Sequence, residues 1–253
     1  MNLTMYPQKS SETMGDYIYR TLYKNIIHLN LIPGECLSPL EVAQAFGSSR
    51  TPVQGAFSRL LSDGLLDIFP QRGSYVSIIN IKRVYESIFM RNLLEQAVVR
   101  VLCEKEVPES GIVELEANLS QQNFYYEKNM IQDVFDLDNK FHRTMFELAG
   151  LEHIQQALES IVADQYRVRV IKLHSRLRWE QTVDEHQKLI DAIRQKNVEL
   201  GCRQSFEHIA RFGVDIEAAY KLYPQYFSNW NPEFLQMFTC KMDAFYNMKF
   251  NIK

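Results

Sequence analysis

The sequence is short of several things that would have placed it quickly. Its formal net charge is only −3, from 28 basic and 31 acidic residues. A strongly basic chain would point to nucleic acid at once, so any such contact here has to be local. Four cysteines are present, Cys36, Cys103, Cys202 and Cys240, and no two stand in a CxxC pair. That argues against a zinc ribbon, and the thiols read as reduced and cytoplasmic. No apolar run approaches the length of a membrane span. The start of the chain lacks the basic region and apolar run of a secretion signal. No internal repeat is visible. What remains is a globular protein of 253 residues, long enough for one or two cores.

The patterns that are present divide the chain. Residues 1–15 are polar and read as a flexible start. From Tyr17, Ile18, Leu22, Ile26 and Leu29 recur at a helical spacing until Pro33-Gly34 stops them. Ser38-Pro39-Leu40-Glu41 is a capping box with proline at the first helical position, and it predicts a short helix through Phe46. Ser48 or Ser49 caps the next helix, whose buried stripe is Val53, Ala56, Phe57, Leu60 and Leu61, with Gly64 as its stop. Two β-prone runs, Leu65 to Phe69 and Ser74 to Ile78, flank Pro70-Gln71-Arg72-Gly73 and predict a hairpin. Residues 16–79 thus form a winged helix-turn-helix. Over residues 80–220 helical stripes recur, such as Val84-Ile88-Leu93-Ala97-Val101, and about six helices in an all-α bundle are expected. The fold class is mostly α. Residues 221–253 are an aromatic extension. Its Trp230, Phe234, Phe238, Phe245, Tyr246 and Phe250 are too many to leave in water and are expected to cover the bundle or a dimer partner.

In a helix-turn-helix the second helix enters the major groove with its N-terminal residues at base edges. That helix begins Ser49-Arg50-Thr51-Pro52-Val53-Gln54. Arg50 can hold guanine bidentately, Thr51 can meet a phosphate or a thymine methyl, and Gln54 can pair with adenine. Arg72 at the hairpin tip can reach the minor groove or a phosphate, and Gly73 lets the backbone turn tightly. An arginine at a helix start is more often merely solvated, but a wing with an arginine at its tip raises the weight of the DNA reading. The runs Leu31 to Ser38, Ser49 to Val53, Leu60 to Leu65 and Pro70 to Val76, in that order and spacing, resemble the GntR family of transcription regulators. The resemblance implies that Arg50, Thr51 and the wing tip contact double-stranded operator DNA. The family usually has Arg-Glu after Thr-Pro-Val, whereas this chain has Gln54-Gly55. An altered operator or weaker binding is expected.

Asp138 and His142 stand at i and i+4 and share a helix face. His186 and His208 sit beside apolar stripes on later helices. One carboxylate and three imidazoles suit zinc, nickel, manganese or iron. Taken singly, each histidine is better read as a core residue bonded to a carbonyl, and His28, His153 and His174 have no visible partners. The segments Met90 to Glu95, Asp138 to Arg143, Ala149-Gly150, Glu185-His186 with Ile190, and His208 resemble the FCD ligand-binding domain of FadR-like GntR regulators. That resemblance implies a metal site of Asp138, His142, His186 and His208, with Arg91 facing an effector. Leu151 stands where the family often has asparagine. A guanidinium at Arg91 suits a carboxylate effector; the plainer alternative is an i,i+4 helix-surface pair with Glu95. The expectation is a homodimeric, ligand-responsive regulator, hinged near Ile79 to Lys82, and not an enzyme. A metal-dependent hydrolase is the rival from another class, although no general base stands beside the motif. A purely structural metal is the third reading.

Overall fold

The computed structural model describes residues 3–175 and 179–231. The chain divides into two compact units. The first runs to Ile81 and takes back Tyr223–Ser228; the second holds Lys82–Leu222 and resumes at Asn229.

In the first unit, α1 (Met14–Ile27) is capped by Thr13, whose hydroxyl accepts from Asp16 N at 3.2 Å. Its Ile18, Leu22 and Ile26 are fully buried, as their spacing demands. The polar start, expected to be flexible, is tied to this helix: Thr4 N donates to Asn25 Oδ1 at 2.8 Å, and Arg20 donates to Glu12 at 2.6 Å and to Pro7 O at 2.9 Å. After β1 (Cys36–Leu37), α2 (Pro39–Ala45) begins at Ser38, whose hydroxyl accepts from Glu41 N at 3.3 Å. Next comes α3 (Arg50–Ser62). It buries Val53, Ala56, Phe57 and Leu60, but Leu61, expected in that stripe, is 46% exposed. Its place is taken by Leu65 and Leu66, which are fully buried beyond the Gly64 turn.

The wing is β2 (Leu66–Phe69) and β3 (Gly73–Val76), antiparallel, with Leu66 opposite Val76 and Phe69 opposite Gly73. The strand β1 adds on the other side of β3. Gly73 has φ of 109°, a backbone that side chains rarely tolerate, so the tip requires glycine there. The last strand of this unit before the bundle, β4 (Ile79–Asn80), pairs in parallel with β5 (Phe227–Ser228), a piece of the aromatic extension.

The second unit has eight helices among the described residues, where about six were expected: α4 (Ile81–Glu104), α5 (Glu109–Glu127), α6 (Ile131–Ala149), α7 (Glu152–Glu159), α8 (Ala163–His174), α9 (Trp179–Arg194), α10 (Val198–Ala210) and α11 (Phe212–Leu222). The surplus comes from breaks such as Lys128–Met130, Ser160–Val162 and Arg211, where neither glycine nor proline marks the stop. The core gathers Val98, Val99 and Leu102 of α4, Ile112, Leu115 and Leu119 of α5, Phe141, Met145 and Phe146 of α6, and Leu189, Ile190 and Ile193 of α9. A Cβ at Gly111 would lie 2.6 Å from Leu148 Cδ2, so a larger residue there would have to turn the Leu148 side chain aside. Trp230 stacks on Tyr220 of α11 with ring centroids 4.0 Å apart. Phe234, Phe238, Phe245, Tyr246, Phe250 and Cys240 lie outside the described residues. No helix among the described residues is long and apolar enough to cross a membrane.

Candidate nucleic-acid interface and metal centre

On α3 the residues Arg50, Thr51, Gln54, Gly55 and Ser58 are exposed, while Val53, Ala56, Phe57 and Leu60 face the core. At 100° per residue these two sets lie on opposite faces. The helix therefore presents its N-terminal half outward with nothing of its own chain covering it. Among the described residues neither Arg50 nor Arg72 makes an ion pair. Arg59, about two and a half turns further on, shows the contrast: it is held by Asp16 at 2.6 Å and lies over the Tyr19 ring at 3.8 Å. At the wing tip Arg72 is exposed, and its carbonyl accepts from the Tyr75 hydroxyl at 2.9 Å. Gly73 completes that turn. The two free arginines and the polar side chains of α3 are the groups available to a phosphate backbone and to base edges.

The helical unit concentrates its polar groups inside. His142 on α6, His186 on α9 and His208 on α10 bring one ring nitrogen each to within 4.8 Å of one another. His186 Nε2 and His208 Nε2 are 3.3 Å apart. Phe141 stacks on His186 at 4.3 Å and fixes its ring plane. Each outer histidine is backed by a carboxylate. Glu185 Oε2 lies 2.7 Å from His208 Nδ1, which as partner of an acceptor must carry the proton. Glu95 Oε2 lies 2.9 Å from His142 Nδ1. Both arrangements turn Nε2 and its lone pair toward the cluster. Burial pushes all three imidazoles below the ordinary value of 6.5, furthest for His186 and His208, so they are held neutral. Burial alone would raise the Glu95 carboxyl; Arg91, then His142, overcome it and hold it well below the usual carboxylate range. Burial likewise raises Glu185, against the pull of Arg211 and Lys172.

A divalent metal fits this donor set. Both ring nitrogens of His142 are buried without a hydrogen bond among the described residues: Nδ1 stands near Glu95 Oε2 but out of line with it, and Nε2 has no acceptor or donor at all. An orphaned buried nitrogen costs stability unless something takes its lone pair. Two nitrogens about 2.0–2.1 Å from one zinc ion at a tetrahedral angle stand roughly 3.3–3.4 Å apart, close to the separation of His186 and His208. Neutral imidazoles oriented by carboxylates are also the ordinary ligands of such ions.

Of the four expected ligands, then, the three histidines converge. Asp138 stands at their edge: its Oδ1 is 3.7 Å from His186 Nε2, while Oδ2 is paired with Arg169. Arg91 is not half of a surface pair. It is 6% exposed and Glu95 1%, and the two form a buried ion pair behind His142. Arg91, Asp138, His142, Arg169, Lys172, His208 and Arg211 line one cleft with about 660 Å³ of free space, part of it open to solvent. The backing roles of Glu95 and Glu185 and the place of Arg169 were not read from the sequence. Glu185 stood next to His186, yet it serves His208, since neighbours on a helix diverge by 100°.

Comparison with known proteins bears on both units. The family described as "Bacterial regulatory proteins, gntR family" matches residues 15–76, and the FCD domain matches residues 86–211. The chain is 31% identical over 206 residues to the HTH-type transcriptional repressor RspR of Escherichia coli K12, covering 81% of this chain and 90% of that one. The solved structure of E. coli McbR/YncC has a TM-score of 0.71 at 18% identity, over 84% of this chain and 99% of the other. A GntR transcriptional regulator from Rhodococcus sp. RHA1 has a TM-score of 0.68 at 21% identity, over 81% and 98%. The two solved structures speak to the fold.

Proposed function

The chain belongs to the GntR family of bacterial regulatory proteins, with an FCD domain behind its winged helix, and on that premise we propose that a small organic acid entering the helical cleft beside a divalent transition metal controls its grip on operator DNA. The protein is a DNA-binding transcriptional regulator and not an enzyme. Arg50, Thr51, Gln54, Arg72 and Gly73 contact the operator, as a homodimer spanning two half-sites in the cytoplasm. His142, His186 and His208, joined by Asp138, hold the metal. When bound it supplies a Lewis-acidic centre to which a ligand oxygen attaches. Arg91 faces the effector carboxylate. The effector acts by binding one arrangement of the protein more tightly than another.

The observation that carries this reading is the convergence of three imidazoles, His142 and His186 buried and His208 half-buried, beside a cleft that His142 and His208 line together with four cations. Calorimetry of the metal-loaded protein against a set of small carboxylates, repeated with Arg91→Ala, tests it. At least one acid binds and weakens operator binding or strengthens it; Arg91→Ala loses that acid. A wild-type protein that takes up none of zinc, nickel, manganese or iron refutes the metal. Loss of folding on metal removal, with operator binding indifferent to every acid, favours a metal that only staples helices.

A further inference from the structure

The cleft wall is neutralised cation by cation. Among the described residues four cations line it, and each has a carboxylate of its own: Arg91 with Glu95, Arg169 with Asp138, Lys172 with Asp215 at 2.8 Å, and Arg211 with Glu185. Three of those carboxylates have no other claim from the histidine cluster or serve it only through a ring Nδ1. Asp138 is different. Its free oxygen points at His186 Nε2 from 3.7 Å, beyond a hydrogen bond, while its other oxygen holds the Arg169 guanidinium. Arg169 is itself 8% exposed, donates to Asn139 Oδ1 at 2.6 Å, and lies 5.1 Å from the Phe135 ring centroid. A guanidinium is thus seated on the one carboxylate that a metal at the three histidines also needs.

A divalent ion and a guanidinium repel in a buried site, and an ion that takes Oδ1 withdraws charge from the carboxylate whose Oδ2 holds Arg169. We propose that Arg169 and the metal compete for Asp138, so that metal loading releases Arg169 from its pair and leaves it as the cleft's single uncompensated guanidinium. This rests on the metal reading above and specifies how that site is regulated. Without metal every cation on the wall is paired, and an anion entering the cleft meets no free charge. With metal, the ion and the released Arg169 join Arg91 in facing it. Metal occupancy thereby becomes the condition for anion binding, through a residue that ligates nothing itself.

Zinc affinity of the full chain, measured by competition with a chromophoric chelator, tests the competition. Arg169→Gln removes the rival and binds zinc more tightly than wild type by about tenfold or more, the scale on which groups outside the ligand shell act. Zinc also raises its melting temperature by more than it raises that of wild type, because the metal-free variant leaves Asp138 buried and unpaired. Lys172→Met, which removes a cation one turn along the same helix, leaves zinc affinity unchanged. Equal or weaker zinc binding by Arg169→Gln overturns the proposal, and so does an equal gain in Lys172→Met, which would mean that charge alone matters. If Arg169→Gln does not fold, Arg169→Lys, with its charge but no fork, still shows a gain; none overturns the proposal. Labelling by an α-dicarbonyl reagent, read by peptide mass spectrometry, is faster at Arg169 with zinc than without; equal labelling refutes the release. A wild type that binds zinc while Arg169→Gln gains nothing sinks this inference alone. If neither binds zinc, the metal reading falls and takes the inference with it.

Discussion

The two units keep their working residues in opposite conditions. In the winged helix, Arg50, Thr51, Gln54 and Arg72 stand exposed on a scaffold that does not need them, since the core is carried by Val53, Ala56, Phe57 and Leu60 on the opposite face. In the bundle, Arg91, Glu95, Asp138, His142 and His186 are all buried: Arg91 is paired with Glu95 and Asp138 with Arg169, while His142 Nε2 is left without a partner. A solvated side chain can be changed at little cost to the fold, and its loss is felt only by the partner it would have touched. A buried charged network is costly to desolvate and more costly to break, so function and stability there cannot be separated. The difference gives the proposed DNA-reading surface freedom to vary and denies it to the proposed sensing site.

Glu95→Ala is the harshest test of that contrast. It strands the Arg91 guanidinium in the core and should destabilise the bundle by about 3–5 kcal/mol. Urea denaturation followed by helical circular dichroism measures this; a loss below about 1 kcal/mol would place the pair on the same footing as a surface one.

Acid should act on the bundle next. The imidazoles of His142, His186 and His208 have folded values below 6.5, so below that pH the unfolded chain binds more protons than the folded one. Stability of the metal-free protein is therefore greatest above pH 6.5 and falls as the pH drops from there, by about 1.4 kcal/mol per pH unit for each histidine still neutral. Melting temperatures from pH 7.5 to 5 report it. A flat profile would mean that the cluster takes up protons without penalty.

Arg50→Ala should leave the melting temperature where it was and cost about 1–3 kcal/mol of operator binding, tenfold to a hundredfold in Kd. A comparable fall in melting temperature would break the comparison from the other side. The smallest effect belongs to Gln54→Arg. It should tighten operator binding modestly and steepen the salt dependence by roughly one counterion; titrations over a salt series that show neither would remove residue 54 from the interface.

The same contrast explains what could be read in advance. The winged helix is written in local signals: Ser38 ahead of Pro39 and Glu41, Pro70 to Gly73 between two β-prone runs, Gly64 after α3. Each acts within a few residues, so spacing alone exposes it. The bundle's boundaries are softer. Glycine marked the end of α6 at Gly150, but the stops at Ser160 and Arg211 are set by packing, and the helix count came out low. Leu61 fits the helical period of α3 and is nonetheless exposed, while Leu65 and Leu66 just beyond the helix are fully buried. In the site, Asp138 and His142 announced themselves by i,i+4 spacing. Arg91 and Glu95 have the same spacing, and nothing in the sequence tells a buried pair from a solvated one. Arg169 carried no signal, since its meaning depends on which acid another helix brings to it.

The parallel pairing of Ile79–Asn80 with Phe227–Ser228 has a consequence in the order of synthesis. The unit that would otherwise be finished first as the chain leaves the ribosome is closed by residues made after the whole bundle. A fragment ending at Ile81 has the helix-turn-helix and the wing but an unpaired last strand, and it lacks the buried Phe227 side chain. A chain cut short ahead of residue 223 therefore lacks both the partner strand of Ile79–Asn80 and the Phe227 side chain, although every residue from Met1 to Ile81 has been made.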